Sequence, residues 1–96
     1  MAEFSQLLDL LQEAVAEPAK LPTLIPKFQD LVWHSKIAYP SELADETMGE
    51  LAYDLDYYEA DPKYRAEDPS FFGEERALAE IRSTLAAIES DKKPNE

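Results

Sequence analysis

Apolar side chains return every three or four residues in four stretches of this 96-residue chain, and that spacing leaves little room for anything but amphipathic helices. Phe4, Leu7, Leu8, Leu11 and Val15 form the first stripe and predict a helix over residues 3–16. Glu17-Pro18 closes it, because the residue before a proline is pushed out of the α region. The second stripe, Leu24, Phe28, Leu31, Val32 and Ser35, predicts a helix over 23–37 with Thr23 as its N-cap. Pro26 fits that start because proline is tolerated in the first turn. Tyr39-Pro40 ends the segment.

A third helix is expected from an N-cap at Ser41 to Tyr58, with Leu43, Thr47, Leu51, either Asp54 or Leu55, and Tyr58 turned inward. Gly49 lies inside it, at about 1 kcal/mol relative to alanine, and marks either close helix packing or nothing. Residues 58–70 hold Pro62 and Pro69 and read as a loop, near the upper length for an unstructured connection. The last stripe, Leu78, Ile81, Leu85 and Ile88 with Ala77 and Thr84 beside it, predicts a helix over 71–89, capped by Asp68 or Ser70. The polar stretch 90–96 with Pro94 reads as a frayed end. The expectation is an all-α, antiparallel four-helix bundle in one domain, residues 1–90, followed by a flexible polar tail, 91–96. Two glycines are too few for the many tight turns of an all-β fold.

Charge narrows the function. The net charge is −12. Between Glu42 and Glu75 stand twelve acids and only two bases, Lys63 and Arg65, so that third of the chain carries −10 of the total. Such a field repels nucleic-acid phosphates and attracts a basic partner. Solubility alone needs no clustering of this kind. With no cysteine, no basic leader and no apolar run near 18 residues, a soluble cytoplasmic protein is expected, without disulfides, thiolate metal sites or a membrane span.

Glu46, Glu50 and Asp54, four residues apart, share one helix face, and a solvated face, a recognition face and a metal site are all compatible with them. A carboxylate-bridged di-metal bundle needs a histidine three residues after a glutamate, and the only histidine, His34, has none there. A calcium loop begun at Asp54 would need glycine at its sixth place and glutamate at its twelfth; the chain has Glu59 and Arg65. With one histidine and no Gly-x-Ser-x-Gly turn, no nucleophile–base pair is legible, so neither a catalytic residue nor a cofactor is expected. Tyr53, Tyr57, Tyr58 and Tyr64 are interleaved with the acids, as at protein interfaces, and Tyr58 is the best core candidate among them. Glu50, Asp54, Tyr57 and Tyr64 are therefore candidate partner-binding residues.

The run from Leu51 to Asp61 (Leu-Ala-Tyr-Asp-Leu-Asp-Tyr-Tyr-Glu-Ala-Asp), then Tyr64-Arg65, then Glu80-Ile81-Arg82-Ser83-Thr84-Leu85, resembles the colicin D immunity protein and its relatives. The resemblance covers residues 43–88, and the stretch 62–72 departs from the family pattern. It implies a small acidic four-helix bundle that binds the tRNA-cleaving domain of a toxin as a monomer in a 1:1 complex and covers its basic active site. It further implies that Asp56, Glu59 and Asp61 face the toxin's lysines and catalytic histidine in place of tRNA phosphates. The alternative is an acidic adaptor or nucleic-acid-mimic regulator that offers the same face to another basic protein.

Overall fold

The structure, a computed structural model, describes residues 3–92. Helix α1 spans Phe4–Ala16, α2 Leu21–His34, α3 Glu42–Asp54, α4 Pro62–Arg65 and α5 Glu74–Lys92. Among the described residues there is no β-strand; Tyr58 and Phe72 form an isolated bridge. The protein is all-α. Helix α1 packs on α2 and α5, and α3 packs on the same two helices. All four longer helices feed one core, with Leu7, Leu11, Leu21, Phe28, Met48, Leu51, Leu55 and Ile81 almost wholly shielded from water.

The first helix matches its stripe. Its start is tied by the Glu3 amide, which donates to Gln6 Oε1 at 2.7 Å, one arm of a capping box. The second helix begins two residues before the expected Thr23. A 3₁₀ turn, Pro18–Lys20, runs straight into Leu21, and Pro22 takes the tolerated first-turn place. Pro26 then lies inside the helix, which costs about 3 kcal/mol for the lost hydrogen bond and ring clash. Burying Leu21 and Ile25 offsets that, at about 1.5–3 kcal/mol for each side chain. The helix ends at His34, so Ile37 reaches the core from an irregular connection and not from a helical turn.

Helix α3 starts where expected: Ser41 Oγ accepts from the Ala44 amide at 3.1 Å. The same hydroxyl donates to Asp91 Oδ2 at 2.6 Å, which joins the start of α3 to the last turns of α5. The inward face differs from the expected one. Ala44, Met48, Leu51, Ala52 and Leu55 are buried, whereas Leu43 is 43% exposed and Thr47 is only half-buried. The helix is rotated by one residue: Ala44, Met48 and Ala52 are buried, the two small alanines allow close approach to the neighbouring helices, and the Ala52 carbonyl accepts from Gln29 Nε2 of α2 at 3.1 Å. The α-helix stops at Asp54, and a 3₁₀ turn, Leu55–Tyr57, carries the chain to Tyr58, which packs against the core as expected.

The expected loop 58–70 contains α4 and closes on itself. Phe72 N–H donates to Tyr57 O at 3.0 Å, and Glu59 N–H donates to Phe72 O at 2.8 Å. Phe71 and Phe72 therefore precede the last helix instead of opening it. Neither Asp68 nor Ser70 caps α5: Asp68 Oδ1 accepts the Ser70 amide at 2.8 Å within its own turn. The first helical bond of α5 runs from Ala77 N–H to Gly73 O at 3.1 Å. At the other end the helix continues through Asp91 and Lys92, so the expected tail does not begin at 91; residues 93–96 lie outside the described residues.

Candidate functional site: an acidic face on α3 and the following loop

Because α3 turns Ala44, Met48, Leu51 and Leu55 inward, its outer side presents Asp45, Glu46, Glu50 and Tyr53 to water. With Gly49 and the half-buried Asp54, these residues line a shallow open hollow of about 780 Å³. Gly49 is its floor; a β-carbon there would meet no atom within 4 Å, so the glycine serves no close helix packing. Glu50 and Asp54 are thus brought together as their spacing implied. Asp54 also borders a second recess of about 320 Å³ with Tyr57, Pro69, Ser70, Phe72 and Arg76.

Tyr53 and Tyr57, one turn apart, form an edge-to-face pair with ring centroids 5.9 Å apart and hydroxyls at 3.5 Å. The hydroxyl contact with Tyr53, then the neighbouring charges, holds the Tyr57 phenol above its ordinary pKa. Tyr53 is 61% exposed, more than any other large apolar or aromatic side chain among the described residues. Asp56 stands exposed in the 3₁₀ turn. Glu59 and Asp61 have local duties. Glu59 Oε2 accepts from the Asp61 amide at 3.2 Å, and Asp61 Oδ1 caps α4 by accepting from the Lys63 amide at 2.9 Å. Tyr64 is half exposed on α4. Neither recess includes Asp56, Glu59, Asp61 or Tyr64. The candidates therefore divide into an α3 set and a turn-and-loop set.

Among the described residues the ion pairs are Lys20 with Glu13 and Glu17, and Arg76 with Glu80. None involves an acid between Glu42 and Glu75. A face of uncompensated carboxylates attracts cations over several ångströms and keeps its hydration until a partner displaces it. Among the described residues no three or more His, Cys, Asp or Glu side chains are placed to hold a metal ion, and His34 is exposed at the end of α2. No helix of the described residues is long and apolar enough to cross a membrane.

Sequence reasoning left Asp45 and Arg76 out of the site. Asp45 is legible only once the inner face of α3 is known, and Arg76 enters because Phe72 folds back to lie 5.1 Å under its guanidinium. No protein-family model matches the chain, and neither does any curated protein or solved structure.

Proposed function

We propose that this protein is an immunity protein that binds the basic active site of a tRNA-cleaving toxin in the cytoplasm, as a monomer in a 1:1 complex. It inhibits by occlusion, with carboxylates in the places of tRNA phosphates, and performs no chemistry. The observation that carries this reading is the set of acids between Glu42 and Glu75, which stand on the surface without an ion-pair partner among the described residues. Steering by such a face speeds encounter, and carboxylate–lysine pairs dried on docking slow release. The resemblance of residues 43–88 to the colicin D immunity family supplies the class of partner. An antiparallel four-helix bundle goes with it, supported by the contact of Ser41 with Asp91 and by the packing of α1 and α3 on α2 and α5.

The test is co-expression with the product of the adjoining open reading frame, followed by a ribonuclease assay over a range of salt. A salt-sensitive complex that silences tRNA cleavage is expected. Glu50→Lys and Asp56→Lys are the cleanest reversals, since neither carboxylate makes a hydrogen bond among the described residues. Each is expected to weaken binding by about 2 kcal/mol, roughly thirtyfold, with an unchanged circular dichroism spectrum. Glu59→Lys and Asp61→Lys add the loss of their turn bonds. Unchanged inhibition in all four would remove the site assignment, and a complex with a partner that is no nuclease would favour an acidic adaptor.

A further inference from the structure

The stretch from Tyr58 to Phe72 is a closed excursion that buries little of itself. Helix α4 has no buried residue. Two backbone bonds at the Tyr58–Phe72 bridge fasten its base. Farther out the fastening is Arg65. Its side chain reaches from α4 to the start of α5 and lies on the backbone of Gly73. A β-carbon on Gly73 would overlap Arg65 Nη1 and stand 2.9 Å from Cζ. Gly73 does not have a positive φ, so close approach, and not backbone conformation, is what asks for glycine here.

Arginine usually ends on a carboxylate, with its planar head fully bonded. Arg65 forms no ion pair among the described residues, and its Nε–H is shielded from water without an acceptor. Such a contact holds by shape, and it also opens readily, because opening returns an unsatisfied donor to water.

We propose that Arg65 seated on Gly73 is a releasable latch that holds the loop 58–72 against α5. The latch fixes where Asp61 and Tyr64 stand relative to the acids of α3. It operates whether or not the partner is a nuclease.

The test is amide hydrogen exchange on the full chain and on Arg65→Met, Gly73→Ala and the double variant. Gly73→Ala displaces only the far end of a flexible side chain, so it opens the latch without moving α5. Each single change is expected to speed exchange at Glu59 and Phe72 about tenfold, with the core amides of Leu11 and Phe28 unchanged. The double variant is expected to match either single one, because the second change removes a contact already lost. The latch is overturned if the single variants stay within about twofold of the parent, if the two effects multiply, or if the core amides accelerate equally.

Discussion

In the α1–α2 pair, Lys20 reaches the carboxylates of Glu13 and Glu17 at 3.0 and 3.1 Å; from Glu42 to Glu75, twelve acids share two bases and make no ion pair among the described residues. The second region uses some of its acids on backbone donors instead. Glu59, Asp61 and Asp68 each accept an amide two residues on, which shapes the turns around α4. Apart from half-buried Asp54, the remaining acids face water above the same core that underlies α1 and α2. The contrast teaches that the acidic face and the core are separable: exposed like charges four residues apart on a helix cost only a few tenths of a kcal/mol per pair, against several for a lost core contact.

That separation can be broken most forcefully inside α3. Met48→Lys puts an ammonium where no water reaches and is expected to lower unfolding free energy by about 4 kcal/mol in urea titration. Glu50→Lys, on the opposite face of the same helix, is expected to raise it by about 0.3 kcal/mol, because repulsion with Glu46 and Asp54 becomes attraction. Comparable losses from both changes would mean that the acidic face is part of the folding energetics. The joint between the regions is the next target. Ser41→Ala removes the cap of α3 and the bond to Asp91, and a loss of about 1 kcal/mol is expected in the same titration.

The smallest effect is alkaline. Burial, followed by the charge of Asp45 for Tyr39 and of Glu74 for Tyr58, raises both phenols above their ordinary value near 10.0; Arg65 partly opposes this at Tyr58. A raised folded-state pKa favours the protonated form, so this contribution is whole below pH 10 and is lost as pH rises through the folded values. Stability is expected to fall above pH 10, and Tyr39→Phe and Tyr58→Phe to flatten that fall. An equal slope in the double phenylalanine variant would assign it to other groups.

Much of the helical layout was legible. The stripe from Phe4 to Val15, the Ser41 cap and the Leu78–Ile88 stripe all report local periodicity or a local hydrogen bond, and each stands where the chain announced it. The start of α2 was not legible, since Pro26 argues locally for a later beginning and only the burial of Leu21 and Ile25 outweighs it. The inner face of α3 was hidden because Leu43 and Thr47 compete with Ala44 and Met48 one position on. The grouping of Glu50 with Asp54 was readable from helix geometry. The hollow over Gly49 depended on the rotation of α3, and the closing of the loop depended on Phe72 meeting Tyr57 fifteen residues away.

By itself, the sequence determined that the described chain is helical, where α1 stops and α3 starts, and that one third of it is intensely acidic. These follow from dihedral preference, capping and charge, which act over a few residues. Tertiary structure alone decided which side of α3 carries the acids to the surface, how Arg65 and Gly73 close the loop, and which candidates stand together. Those outcomes depend on contacts between residues far apart in the chain, where packing chooses between faces that local periodicity leaves nearly equal.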